Sequence, residues 1–344
     1  MYHPHDRAVR PVVGTGLLLT SGLLTASAAL PAASAAPPAA GQASAASAPQ
    51  ASGNVYVTNQ LDNTLSVINP QTAKVTATVP AGTAPEGVAV SPDHSHIYIA
   101  DNGSARVSVL DAANNKIVAA VPVGKDPSGV ALSPDGRDLY VANGGSDSVS
   151  VMNTANSKVT AIIGVGISPV SVAVSRDGTT AYVANEGSAS LSVISTRTDR
   201  VVRTLPAGRY PVAVAVSRDG TTAYVANEVD ARVSVVSVRT GTIAATVPTG
   251  EGPFGVTLAP GGQSVYAAIL GPGNVSVIST GTHRISGTVY VGPPGTDPFS
   301  IAATAGAVYV ANQGANTVTV FNPGNLKVTA TVNVGNSPYG IAAT

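Results

Sequence analysis

A tyrosine recurs along this chain at 56, 98, 140, 182, 224, 266 and 309, at intervals of 42 residues that lengthen once to 43. No other feature restricts the fold as much, because a fixed period of this length means one supersecondary unit stacked repeatedly on itself. Around the tyrosines lie YVTN (56–59), YIAD (98–101), YVAN (140–143, 182–185, 224–227 and 309–312) and a divergent YAAI (266–269). Each unit opens with a proline, at 85, 127, 169, 211, 253, 298 and 338, and runs into a short apolar strand such as Gly87-Val88-Ala89-Val90. A turn follows, SPDG at 133–136 and SRDG at 175–178 and 217–220, whose Asp-Gly supplies the positive φ a hairpin needs. The tyrosine strand comes second. A polar Gly/Asn/Ser loop leads to a third strand with alternation, as at Val107–Leu110, and a fourth, such as Lys158–Ile163, reaches the next proline.

Four short antiparallel strands per unit of about 42 residues is the blade of a β-propeller. No stretch shows the i, i+3, i+4 recurrence of a helix. A β-solenoid is the competing repeat fold, but its coils are usually shorter and lack four turn signals per unit. The chain is therefore read as all-β, a seven-bladed propeller over residues 54–344. Its phase is informative. The propeller begins at a second strand (Asn54–Asn59) and ends on a lone first strand (Tyr339–Thr344). The last strand is expected to pair with Val55–Asn59 and close the ring, leaving no open end.

Composition narrows the function. The 18 basic and 18 acidic residues balance, so no basic excess draws the chain to nucleic acid or an anionic membrane. Charged residues make up only 10%, against a usual ~25%. The absence of Cys removes disulfides, thiolate metal sites, a Cys nucleophile and a lipoprotein anchor from consideration. At the N-terminus, Arg7 and Arg10 precede a diluted apolar run from Val12 to Leu30, followed by Ala33-Ser34-Ala35. That order reads as a secretory signal over 1–35, of the Sec rather than the twin-arginine kind. The Ala/Ser/Pro/Gln-rich stretch 36–53 reads as a flexible linker. Cleavage after Ala35 removes Asp6, Arg7 and Arg10, leaving a formal net charge of −1 and no membrane span. The mature chain is expected to be extracytoplasmic, secreted or associated with the cell envelope, and monomeric.

The Y-V-[AT]-N signature at this spacing resembles the YVTN family of propeller repeats, and the resemblance covers about residues 54–344. It implies a bacterial exported or surface-layer-type propeller. Lactonases and the haem-binding domain of some nitrite reductases are similar in architecture. The resemblance is specific for fold and weak for function, because function lives in sites placed on folds.

In a four-stranded blade the inter-blade connections and the second-to-third loops share one face, here the Pro-loop face. The residue after each proline is, from the closing blade, Tyr339, Glu86, Ser128, Val170, Val212, Phe254 and Phe299. Three aromatics thus fall on consecutive blades, with Glu86 on the next. Asp126, Arg209, Tyr210, Glu251 and Asp297 lie in the same loops. An aromatic wall with a few convergent polar groups is the usual form of a small-molecule site; the alternative is a hydrophobic plug. The candidate ligand-binding residues at the channel mouth are therefore Glu86, Asp126, Arg209, Tyr210, Phe254, Asp297, Phe299 and Tyr339. The connection from Tyr266 to Pro298 spans 32 residues against 29 in its counterparts, the enlarged stretch being Gly292–Asp297, in the same arc. The recurrent Asn59, Asn143, Asn185, Asn227 and Asn312 are expected to bond their own loop backbone or adopt left-handed geometry. The repeated tyrosines are expected to pack between blades.

The remaining histidines, His94, His96 and His283, fall in turns on the opposite face, so neither a haem ligand nor a Ser-His-Asp arrangement is expected at the mouth. No metal site and no cofactor are expected. Two readings stay open. One is an exported binding or scaffold propeller presenting the Pro-loop face to an extracellular protein, glycan or small molecule. The other is a lactonase-like hydrolase with an acidic, metal-assisted site near Glu86 and Asp126. Single-stranded nucleic acid is a minor third: Arg106, Lys125, Arg209 and Arg232 share the face but are interrupted by Asp62, Asp147, Glu186, Glu228 and Asp230.

Overall fold

The computed structural model describes residues 53–344; the signal segment expected over 1–35, and the linker except Gly53, lie outside the described residues. The described chain forms seven four-stranded antiparallel sheets arranged as the blades of a propeller. Blade 1 takes its inner strand from the far end of the chain. Pro338–Ala343 pairs with Val55–Asn59 through Val55↔Ala343, Tyr56↔Ala342 and Val57↔Ile341, which closes the ring as expected. Blades 2 to 7 then follow in order, each running from a proline-led inner strand to an outer one: Pro85–Pro122, Pro127–Gly164, Pro169–Pro206, Pro211–Pro248, Pro253–Tyr290 and Pro298–Asn333.

The core lies between blades rather than within them. Seven apolar clusters each join two neighbouring blades. Period-two alternation produces this: in the second strand of blade 1, Tyr56 packs with Ile97, Ile99 and Leu110 of blade 2, whereas Val55 and Val57 pack with Tyr309 and Val318 of blade 7. The signature tyrosine is thus an inter-blade wedge, as expected. Outer strands face water on one side: Lys74–Pro80 alternates exposed and partly buried positions.

Two local devices recur around the ring. In blades 2 to 6 the chain turns through left-handed residues at four corners, in blade 2 at Ala84, His94, Ala105 and Asn115. Only the Asp-Gly corner was legible in sequence; Gly136, Gly178 and Gly220 take φ of 71°, 73° and 69° there, and His94 fills the same place at 60°. The signature asparagine is the second device, and it differs from expectation. Asn143 is extended (φ −109°) rather than left-handed. Its amide donates across the sheet to Ser148 and Ser150 of the third strand, as Asn185 does to Ser190 and Ser192. In blade 1 its carbonyl oxygen also accepts from Gly335 N in the incoming inter-blade loop, at 3.1 Å. A strand-end amide reaches the neighbouring hydroxyls more readily than its own loop where alternation places Ser or Thr at both facing positions; Asn227, opposite Arg232, donates to Ser234 Oγ and Val225 O instead. The role is structural.

Candidate binding site at the Pro-loop mouth

A bulge delivers the mouth residues. In all seven blades the register slips immediately after the proline, so that the following residue has no partner in the ladder. A bulge bends the strand and re-aims its side chain. Gly87, Gly129, Gly255 and Gly340 widen this slip to two residues and press backbone on backbone. A Cβ on Gly340 would lie 2.2 Å from Glu86 O, one on Gly87 2.2 Å from Ser128 O, and one on Gly255 2.5 Å from Phe299 O. Each glycine therefore seats the mouth residue of the next blade. Below the mouth, the residues two and three places after each proline line a central cavity of about 220 Å³.

Glu86, Phe254, Phe299 and Tyr339 come together as the sequence spacing suggested. The Phe254 and Phe299 ring centroids are 3.7 Å apart, and those of Phe299 and Tyr339 4.4 Å. Phe299 is buried, while Phe254 and Tyr339 stay half-buried. The arc is a packed wall with its two ends accessible. Glu86 is 1% exposed. Its Oε1 accepts from Gln60 Nε2 at 3.0 Å. The hydroxyls of Ser128 and Tyr339 lie close enough to favour the carboxylate, but neither is aligned to bond Oε2, which is buried without a hydrogen-bond partner. Burial dominates and pushes the carboxyl up to about 7, with the Asp126 charge adding to the rise. Burial and the Glu86 charge likewise hold the Tyr339 phenol well above its ordinary value.

The backbone of Glu86 is clamped by a residue the sequence reading passed over. Thr58 Oγ1 donates to Glu86 O at 2.5 Å and accepts from Gly340 N at 2.8 Å. The equivalent place in the other six blades is alanine. The signal was the single departure YVTN from YVAN or YIAD, visible but without meaning until the bulge is known.

The other four candidates play different parts. Asp126, Tyr210 and Asp297 are the left-handed residues before a proline (φ 50°, 53° and 48°). Their carbonyls accept from the N–H of Gly144, Glu228 and Gln313, respectively, in the second-to-third loops. That corner is a backbone function repeated around the ring; Asp126 additionally reaches Glu86 through its charge. Arg209 is taken up by Asp230, donating to it from both backbone and side chain, with Arg232 on the same carboxylate at 3.0 Å. Burial raises that carboxyl, but the hydrogen bonds from the two arginines outweigh it and its pKa is lowered. The enlarged loop folds on itself, Thr296 N and Oγ1 both donating to Pro293 O, and packs on Gly273 and Gly314.

Three further mouth residues were not among the candidates. Gln60, which reaches Glu86, follows the signature asparagine of blade 1. The same place in blades 4 and 5 holds Glu186 and Glu228. Both are half-buried. Burial first, and then the charge of Glu228, pushes Glu186 up to about 7, and the Glu186 charge also bears on Tyr339. The position after the signature asparagine was the available signal.

His94 and His283 lie in turns on the opposite face, and His96 opens the strand after the first of these turns, its Nδ1 2.7 Å from Ser95 Oγ. His283 lines a separate groove of about 430 Å³ between blades 5 and 6 with Arg218, Asp219 and Tyr224. Among the described residues, no three His, Asp or Glu side chains approach closely enough to hold a metal ion. That includes the set around Glu86 and Asp126 on which a metal-assisted hydrolase would depend.

Seven blades, a closed ring and a bulge-built mouth define a seven-bladed β-propeller. Two propeller family models match parts of it: a YNCE-like beta-propeller over residues 27–135 and a seven-bladed beta-propeller lactonase over residues 112–205. The chain is 56% identical over 45 residues to PE-PGRS18 of Mycobacterium tuberculosis, a match covering 13% of this chain and 10% of that protein. Solved structures share the fold. Hydrazine synthase of Kuenenia stuttgartiensis is 24% identical with a TM-score of 0.67, covering 74% of this chain and 88% of that one. A protein of unknown function from Desulfotomaculum acetoxidans is 16% identical with a TM-score of 0.74, covering 85% and 99%. Virginiamycin B lyase of Staphylococcus aureus is 15% identical with a TM-score of 0.66, covering 75% and 88%.

Proposed function

We propose that this is an exported, YVTN-type binding propeller that receives its ligand at the Pro-loop mouth. The observation that carries this reading is the asymmetry of the mouth. A backbone bulge after the proline is repeated in all seven blades, yet the side chains it presents form an aromatic wall on blades 6, 7 and 1 flanked by carboxylates. Side chains with no duty in the fold, gathered at the opening of a propeller channel, are the usual constituents of a ligand site. A buried carboxylate with an unpartnered oxygen costs stability, so its presence favours a role in binding. The partner classes are an extracellular protein, a glycan or a small molecule. The hydrolase reading has no comparable support, given the absence of a metal-competent trio among the described residues.

Ligand-observed NMR of a fragment library against the parent and Phe254→Ala tests the site. Phe254 is half-buried, so its truncation should leave the melting curve nearly unchanged and remove the fragments that bind. If every fragment binds the variant as it binds the parent, the mouth is a plug. Export is tested by sequencing the N-terminus of chain recovered from the culture medium, with cleavage after Ala35 expected.

A further inference from the structure

We infer that the ligand is an organic cation, held through an ammonium group between the aromatic wall and the carboxylates of the mouth. This rests on the mouth being the binding site.

Two rings of side chains surround the opening. The inner ring is Tyr339, Glu86, Ser128, Val170, Val212, Phe254 and Phe299; the second ring consists of the residues after each signature asparagine or its counterpart. These fourteen positions hold three carboxylates, Glu86, Glu186 and Glu228, and no Lys or Arg. No Lys or Arg charge bears on Glu86 or Glu186, and Arg209 and Arg232 are both held by Asp230. The carboxylates also bracket the aromatics in ring order. Glu86 follows Tyr339 at one end, and Glu228 precedes Phe254 at the other. Gln60 shows that a second-ring side chain can reach the inner-ring residue of the next blade; Glu228 holds the corresponding place before Phe254, and its charge bears on Glu186.

An unpaired buried carboxylate oxygen and uncompensated like charges both need a positive group, and an aromatic face attracts one as well. Metal is a poor candidate, because the carboxylates stand on separate blades and no three approach together. An alkylammonium matches both halves of the site: its charge meets the carboxylates and its carbon stem lies on Phe254 and Tyr339. An inorganic anion meets neither half.

The same geometry makes binding depend on pH. Around Glu86 stand Gln60, Ser128, Tyr339 and Asp126, and Glu186 faces Glu228. Glu86 and Glu186 carry protons below about 7. A cation must displace those protons, so it binds more tightly as pH rises.

Isothermal titration calorimetry of the full chain in buffered salt tests the inference, with spermidine as a free polyamine, N-acetyl-lysine methylamide as a polypeptide lysine, and n-butanol as a neutral stem. One or both amines are expected to bind at pH 8 and to weaken at least tenfold at pH 5.5; the tighter of the two identifies the source. Glu228→Gln and Phe254→Leu, each checked by its melting curve, should weaken binding at least fivefold, and Glu251→Gln, an equal charge change in an exposed loop, less than twofold. Butanol binding as well as the amines, or Glu251→Gln acting like Glu228→Gln, overturns the inference. Binding of neutral or anionic fragments that is lost in Phe254→Leu, without any amine binding, overturns the cation and leaves the mouth reading standing. If no probe depends on Phe254, both fall.

Discussion

The repeated turn aspartates on one face of the disc and the mouth glutamates on the other stand on the same seven-fold backbone and titrate in opposite directions. On the turn face, Asp93, Asp135, Asp177 and Asp219 each accept hydrogen bonds from a serine hydroxyl and from the backbone of their own turn, and their carboxyls lie below the ordinary value, Asp93 at about 2. At the Pro-loop mouth, burial pushes Glu86 and Glu186 up to about 7. The difference teaches what repetition means in this chain. Where a motif repeats, its side chains serve the backbone and their charge is satisfied locally. Where the motif varies over an unchanged backbone, the side chains have no such duty, and their charge is left uncompensated.

The largest effect tests whether that backbone is one unit. Deleting residues 338–344 removes the inner strand of blade 1, the Ile341 side chain from the core between blades 7 and 1, and the Gly340 seat of Glu86. It exposes the edge of Val55–Asn59 to water. Loss of the cooperative thermal transition by circular dichroism is expected. A truncated chain that melts like the parent would break the idea that both faces share one closed frame.

Next comes the mouth carboxylate. The folded-state value of Glu86 is raised, so its proton is held more tightly in the native chain than in the unfolded one. Its contribution is fully present below about 4.5 and is lost as pH rises through about 7. The loss at pH 8 is on the order of 3 kcal/mol for a group buried this deeply. Glu86→Gln keeps the Gln60 hydrogen bond and removes the charge. It should raise stability by about that amount at pH 8 and change it little at pH 4, in denaturant melts followed across the range. A gain of equal size at both pH values would mean that the carboxylate is not the source.

The glycines sharpen the comparison at the level of the backbone. A Cβ at Gly340 meets the Glu86 carbonyl, whereas one at Gly261, in a turn on the other face, meets nothing within 4 Å. Gly340→Ala should cost about 1–3 kcal/mol as an overpacked site does. Gly261→Ala should be neutral or stabilising by ~0.4–1 kcal/mol through the unfolded state. Chemical denaturation of the two variants compares them directly.

Blade number, strand order, ring closure, the inter-blade tyrosines and the aromatic arc were all legible in the sequence, because each follows from a period or an alternation that survives without coordinates. The rest was not, for identifiable reasons. Bulges leave no residue-type signature when the strand is already rich in small residues, so the mouth residues were placed from the sequence but the backbone slip that presents them was hidden. A proline normally biases its predecessor to extended geometry, and here Asp126, Tyr210 and Asp297 are left-handed corners instead. Arg209 was placed on the correct face, but its capture by Asp230 depends on a side-chain meeting across two loops. Glu186 and Glu228 read as interruptions of a basic surface; only the Gln60–Glu86 hydrogen bond shows that their position turns inward.

The smallest effect lies on the turn face and has the opposite sign. The Asp177 carboxylate accepts from Ser175 Oγ at 2.6 Å and from Thr179 N at 3.1 Å, which holds its carboxyl below the ordinary value. A lowered folded-state value means stability present above the unfolded pKa and lost as pH falls through the folded one. The group is exposed and screened, so a single Asp177→Asn should stay within about 0.5 kcal/mol. Replacing Asp93, Asp135, Asp177 and Asp219 together by Asn adds four such differences, since none of these carboxylates bears on another. That variant should flatten the loss of stability below pH 4 and leave the slope between pH 5 and 8 intact, whereas Glu86→Gln should do the reverse. Melting temperatures of the two variants and the parent across pH 3 to 8 separate the faces. If the fourfold variant also changed the slope near pH 7, the turn and mouth carboxylates would be coupled through the disc, and the division between side chains that serve the frame and side chains free of it would fail.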